Sequence, residues 1–279
     1  MKYNNIIVSM LVFLFLTACN PDFNTNQKDV KHQSSKKRLK SNQKRLKSNQ
    51  KGLKPKAEVT QNQEEVQNQE ADQNKKTKNT LLDDLKKLIE EAKEDREKYV
   101  KKLQEEPLNQ YEILAFNDLF WQDGSGENAS QNTERSKEYR RNVYGALNAI
   151  DTNKLKDLSV ILRLSKQSQG ILNALNSLGG SLDETIVCLS SKKDTLDDEL
   201  DISNLEKLKN SFEKLLSTRT VVSEMINQLL LDYQYGKDSI QTNNTKLESY
   251  ANELFIKIEA KSNEAYDLKN SILYNPIIT

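Results

Sequence analysis

The chain has 279 residues, with 42 Lys and Arg against 41 Asp and Glu, 35% hydrophobic residues, and only 8 Gly, 4 Pro, 2 Cys and one His. That length suits one domain plus appendages, and so little Gly and Pro argues against turn-rich sandwiches, barrels and Gly-loop nucleotide enzymes. With His32 as the sole histidine, the usual zinc ligand sets, a Ser-His-Asp triad and a Cys-His pair have nothing to be built from. No catalytic residue, cofactor or metal is therefore expected.

Residues 1–18 read as a targeting segment. Lys2 supplies a positive start, and Ile6 to Leu16 is an apolar run too short to span a bilayer as a stable helix. The run ends in Leu16-Thr17-Ala18-Cys19, the pattern of a bacterial lipobox. Cleavage before Cys19 and acylation of its thiol and amine would anchor the chain in a membrane through two or three acyl chains. Cys188 then has no disulfide partner in its own chain, and its neighbours Ile186, Val187 and Leu189 predict a buried, inert thiol.

Residues 19–78 read as a disordered tether. Lys37-Arg38-Leu39-Lys40-Ser41-Asn42-Gln43 is copied at Lys44 to Gln50, and a six-residue repeat, Gln61 to Val66, recurs at Gln67 to Asp72. Neither repeat carries enough apolar surface to offset the entropy of ordering, and one Leu per seven residues makes no coiled-coil seam. Residues 28–56 carry a net charge of +11, whereas residues 79–279 carry −8, so a near-neutral total hides a basic tether on an acidic head. Lys36, Lys37, Arg38, Lys40, Lys44, Arg45, Lys47 and Lys51 form a candidate polyanion site for glycosaminoglycan or anionic lipid; a solvated spacer is the plainer reading. Nucleic acid is a poor partner, because the basic stretch over residues 28–56 has no Phe, Tyr or Trp on which bases could stack.

Residues 79–279 predict an all-α domain of about seven helices. Leu81, Leu82, Leu85, Leu88, Ile89, Ala92, Tyr99 and Leu103 keep a helical period that Pro107 ends. A short helix over Tyr111–Trp121, apolar nearly all round, is expected to be the best-buried element. Asp123 to Asn128 reads as a loop. Helices follow over Glu134–Ile150 and Lys154–Leu178, the latter stopped by Gly179-Gly180. Capping-box patterns at Ser181, Ser203 and Thr245 mark three later starts. The helix from Asn204 ends near Gly236. The final helix, Asn244 to Leu273, carries Leu247, Ala251, Leu254, Ile258, Lys261, Ala265, Leu268 and Ile272 at 4-3 spacing. Its first half should pack into the head and its second half be partly exposed, giving a monomer.

Acidic doublets such as Asp83-Asp84, Glu90-Glu91, Glu105-Glu106 and Asp197-Asp198 do not make acid/base pairs, because adjacent helical side chains diverge by about 100°. They read as solvated faces. Binding is the remaining kind of function.

The lipobox, the charged tether and the helical head together resemble Borrelia outer-surface lipoproteins of the CspA and P35-antigen type, the complement-regulator-acquiring surface protein-like family. At residue level the resemblance rests on Leu16-Thr17-Ala18-Cys19, on Glu138-Tyr139-Arg140-Arg141-Asn142-Val143-Tyr144-Gly145-Ala146-Leu147 followed by Leu155 to Leu162, and on the Leu/Tyr-rich last helix. It implies a non-enzymatic helical-bundle antigen on the outer membrane, acting in complement evasion, virulence or transmission. Some members bind complement regulators or terminal complement proteins, some bind plasminogen, and at least one meets a tick receptor. The founding member dimerises through its C-terminal helix and binds factor H; this chain departs from it there, so factor H is not carried over. An adhesin working through the basic tether and a structural envelope lipoprotein are the alternative roles.

Overall fold

The computed structural model describes residues 61–196 and 200–274, with side chains from Asp72 onward. The chain divides at Val66/Gln67, and the helical bundle lies wholly in the unit from Gln67. Six α-helices occur among the described residues: α1 Gln61–Gln104, α2 Glu134–Ala146, α3 Leu155–Leu164, α4 Ser168–Lys192, α5 Ile202–Gln234 and α6 Asn244–Leu273. An isolated Phe120–Asn128 bridge is the nearest thing to a strand among them.

The first correction concerns α1. Its helix begins at Gln61, so the second repeat and the rest of residues 61–78 are helical rather than disordered. Residues 72–77 and 79–80 are solvent-exposed, and bury nothing that would select a helix. The packed part, with Leu82, Leu85, Ile89, Ala92 and Tyr99 buried, supplies the nucleus. Extension then adds one hydrogen bond per residue through Glu, Gln, Lys and Ala, with neither Gly nor Pro between Gln61 and Pro107 to stop it. The first repeat, His32 and the lipobox lie outside the described residues.

Between α1 and α2 the expected helix over Tyr111–Trp121 is instead two 3-10 turns, Gln110–Glu112 and Leu114–Asp118. Ile113, Ala115, Phe116 and Leu119 are buried, but Leu114 and Phe120 are exposed and Trp121 only half-buried, so this is not the best-buried element. The Ser159 hydroxyl accepts the Ala115 N–H at 2.9 Å, so a group from α3 satisfies this backbone where a longer helix would have used its own carbonyls. The Asp123–Asn128 segment is a loop, as expected, with Gly124 and Gly126 at positive φ.

The Gly179-Gly180 stop is wrong. α4 runs through both glycines, and Ser181 is a buried mid-helix residue whose carbonyl accepts the Thr185 hydroxyl. The break comes earlier, between α3 and α4. Lys166 takes the left-handed conformation (φ 58°), its N–H bonds to the Arg163 carbonyl, and the Gln167 N–H bonds to the Leu162 carbonyl. This is a Schellman end with Lys where Gly is usual, and hence without a sequence signal. Gly179 serves close approach instead: a Cβ there would stand 1.9 Å from the Asn142 carbonyl oxygen of α2.

Smaller corrections have local causes. α2 ends at Ala146 and tightens into turns through Ile150. The caps of α5 and α6 are Asp201 and Asn243, each accepting a backbone N–H three residues on, so both helices start just before the capping-box residues. Gly236, left-handed at φ 63°, closes α5 as expected. Along α6 the inward row passes through buried Ser262 rather than Lys261, and Ala265 and Ile272 are buried too. The second half of α6 thus packs on its own bundle and is not left exposed on that face. Cys188 is half-buried, not buried, because Val187 and Cys188 lie toward the outer side of α4.

Cross-links fix the directions of the long helices. Asp84 pairs with Lys209 (4.0 Å) and Glu90 with Lys193 at the end where α1 enters the bundle. Tyr250 donates to Asp232 (2.8 Å), and Lys166 pairs with Glu248 (2.7 Å), at the opposite end. α1 and α5 therefore run toward that far end, while α4 and α6 run back. α3 lies at the far end with Leu155, Leu158, Ile161 and Leu162 facing the core.

Candidate interaction surface

Most carboxylates that could attract attention are consumed inside the fold. Glu106, half of a doublet read as a solvated face, is instead nearly buried: Arg140 donates to it from Nε (2.9 and 3.1 Å) and Nη2 (2.9 Å), and the Tyr144 hydroxyl donates as well. Arg140 Nη1 donates to the carbonyls of Ala129 and Gln131 at 2.7 and 2.8 Å, so one guanidinium ties α2 to both ends of the segment that joins it to α1. Asp183 of α4 is buried and accepts Arg96 Nε at 2.8 Å and the Tyr99 hydroxyl at 3.0 Å, with Arg141 3.2 Å away. Burial pushes the Tyr99 and Tyr144 hydroxyls well above the ordinary phenol range, and their carboxylate partners add to it. Burial also raises the Asp95 carboxyl, but hydrogen bonds from Lys98 and Arg219 outweigh it and hold the group below its ordinary range. These groups are clamps between helices. Among the described residues no three His, Cys, Asp or Glu side chains are grouped to hold a metal ion, and no helix is long and apolar enough to cross a membrane.

The far end of the bundle is different. Large apolar side chains concentrate there: Leu108 is fully exposed, and Leu114, Val160, Leu164, Leu231 and Tyr235 are 40% exposed or more. Val160 and Leu164 stand one helical turn apart on the outer face of α3 and form a ridge. On one side lies a cleft of about 410 Å³ between α3 and the Leu114–Asp118 turn. On the other, a cleft of about 270 Å³ runs to Leu230, Leu231 and Tyr233 at the end of α5. A third cleft, about 580 Å³, opens beside Pro107 and Leu108 over the Glu106–Arg140 pair.

Every non-glycine residue with positive φ among those described also lies at this end: Gln110, Tyr111, Glu112, Lys166, Asp238 and Ser239. Each costs on the order of 1 kcal/mol. The first three are held by Gln110 Nε2 donating to the Ser130 carbonyl (2.5 Å), by Tyr111 donating to the Lys102 carbonyl (2.8 Å), and by Glu112 pairing with Lys156 (2.6 Å). Charges here largely neutralise one another: Lys156 with Glu112, Arg163 with Asp118 (3.0 Å), Lys166 with Glu248, and Lys237 with Asp232 (2.9 Å). Sequence reasoning missed this surface, since a helical stripe reveals inward residues and gives no reason for Val160 or Leu164 to share a ridge with Leu114 and Leu231. The residues the sequence did single out, Cys19 for lipidation and the tether lysines and arginines from Lys36 to Lys51, lie outside the described residues.

A model of the Borrelia Bbcrasp-1 domain containing proteins matches residues 100–275. BSE31 of Borrelia spielmanii, a solved structure, is 47% identical, with a TM-score of 0.69 over 71% of this chain and 99% of its own. The chain belongs to the Borrelia Bbcrasp-1 domain family. Two more distant structures share the fold: BSA64 of B. spielmanii, 21% identical with a TM-score of 0.58 over 72% of this chain and 98% of its own, and the outer surface protein BBA66 of B. burgdorferi, 16% identical with a TM-score of 0.58 over 70% and 99%. None of the curated proteins matches the chain. The family assignment agrees with the resemblance carried by the α2 and α3 residues, both of which fall within the matched span.

Proposed function

We propose that this Bbcrasp-1 domain protein is a non-enzymatic lipoprotein of the Borrelia outer surface, anchored through acylated Cys19. Its head binds a host or vector protein, such as a complement component or regulator, plasminogen or a tick receptor, in immune evasion or transmission. Family membership carries this reading: BBA64, BBA65 and BBA66, which share the fold, are named outer surface proteins or lipoproteins of Borrelia burgdorferi. The far-end surface supports it, because aliphatic side chains left exposed beside strained turns suit protein contact and serve no purpose in the core.

The head acts as a monomer in this reading. The inward rows of both halves of α6 are buried against their own bundle, and the large apolar side chains still exposed along it, Ile256 and Tyr266, are too few to seat a twin. Protease treatment of intact cells, with Cys19→Ala as control, tests the location: the head should be shaved from wild-type cells, and the variant should leave the membrane fraction. Saturable capture of a serum or tick-gut protein by the mature chain tests the function. No saturable partner in either pool would count decisively against it.

A further inference from the structure

We infer that the partner engages the far end of the bundle by laying an amphipathic helix across α3, over the Val160–Leu164 ridge. The inference rests on the binding role proposed above and names its surface and the chemistry it accepts. Two features of shape carry it, and charge, extent and position agree. The ridge has an i, i+4 spacing of about 6 Å, the row that interdigitates with the groove of a second helix. The clefts flanking it, about 410 and 270 Å³, each have room for an aliphatic or aromatic side chain arriving from that helix.

The surrounding charge selects the chemistry. Arg163 with Asp118 and Lys156 with Glu112 are already paired beside the ridge, so little net field remains to hold a polyanion or an anionic membrane. What is left to recognise is apolar surface with a neutral polar rim. Its extent decides between occupants. Four half-exposed aliphatic side chains offer on the order of 300 Å², within the range of functional patches but short of the roughly 450 Å² of apolar surface in the ~800 Å² face of a standard interface. A single helix of another protein suits that area better than a second copy of this head. Position agrees, since the surface lies at the end of the bundle away from where α1 enters.

The test uses mature chain with Cys19→Ala, as wild type, as V160E/L164E, and as I256E. Ile256 is 55% exposed on α6 and lines neither of the clefts that flank the ridge, and so controls for loss of any exposed apolar residue. The probe is a fluorescent 18-residue amphipathic helical peptide with Leu at i, i+3, i+4 and i+7 and zero net charge, followed by anisotropy. Wild type and I256E should bind it saturably, and V160E/L164E at least tenfold more weakly with unchanged helical circular dichroism. Failure of the wild type to bind, or equal binding by V160E/L164E, overturns the inference. Sedimentation at tens of micromolar covers the other occupant: a dimer abolished by V160E/L164E would assign the ridge to a second copy and overturn it. The same variants in the serum and tick-gut captures separate the two readings. Absence of any partner for wild type strikes the proposed function, whereas a partner retained by V160E/L164E strikes only this surface.

Discussion

Substituting Ala for Gly179 should destabilise the protein, against the ordinary helix rule. In a helix interior Gly→Ala normally stabilises by roughly 1 kcal/mol. At Gly179 the new methyl would meet the backbone of α2, at 1.9 Å from the Asn142 oxygen, 2.5 Å from its carbonyl carbon and 2.9 Å from its Cα. Ordinary contact starts at 3.4 Å, so α2 and α4 must separate by about 1.5 Å. Backbone cannot turn aside as a side-chain tip does. The separation also stretches the Asn142–Asn176 (3.1 Å) and Tyr139–Asn173 (2.9 Å) hydrogen bonds and the Arg141–Asp183 contact between the same two helices. Overpacking alone costs about 1–3 kcal/mol, and the strained polar contacts raise this, so a net loss of about 2–4 kcal/mol is expected. For a domain of this size that lowers Tm by roughly 5–12 °C. Gly180→Ala is the control, since its Cβ would meet only the Asn142 side chain, with the amide nitrogen at 3.3 Å and Cγ at 3.8 Å. It should lie within about 1 kcal/mol of wild type. Thermal and urea unfolding followed by circular dichroism reads both variants. A Gly179→Ala protein as stable as wild type would refute the claim that α2 and α4 touch backbone to backbone.

Other outcomes follow from the clamps and the helix ends. Arg140→Ala leaves Glu106 with one donor and strips two carbonyls of theirs, and should cost about 3–5 kcal/mol by urea unfolding, while the double replacement R140M/E106L should cost clearly less. Because the folded-state values of Tyr99 and Tyr144 are raised, their stabilisation is complete below the unfolded phenol range near pH 10 and is lost as pH rises beyond it. Denaturant midpoints should therefore fall above pH 10, and Tyr99→Phe should flatten that fall; an unchanged slope would count against a buried Tyr99. Lys166→Gly should stabilise by up to about 1 kcal/mol by relieving the left-handed residue at the end of α3, and a loss of stability would contradict the Schellman end.

Periodicity alone settled much of this molecule. The rows through Leu82 to Tyr99, Leu155 to Ile161, Leu205 to Leu229 and Leu247 to Ile258 are buried as their 3.6-residue spacing requires, because a helix must hide its apolar stripe wherever its neighbours stand. Gly236 marked a helix end because the left-handed backbone there is unstrained only for glycine. The Glu138–Leu147 segment and the helical plan pointed to the Borrelia surface-protein family to which the chain belongs.

Tertiary packing decided the rest. Whether a glycine ends a helix or lets two helices touch depends on what lies opposite, and only the approach of Asn142 tells Gly179 from a stop. A carboxylate on a charged face looks solvated until another element brings an arginine, as α2 brings Arg140 to Glu106. The backbone at Tyr111–Trp121 yields its helix to turns because a hydroxyl on α3 satisfies one of its N–H groups. The far-end surface joins Leu114, Val160 and Leu231, which are scattered over more than 100 residues of sequence. No local pattern encodes that neighbourhood, since it exists only once α3 lies beside the end of α5 and the Leu114–Asp118 turn.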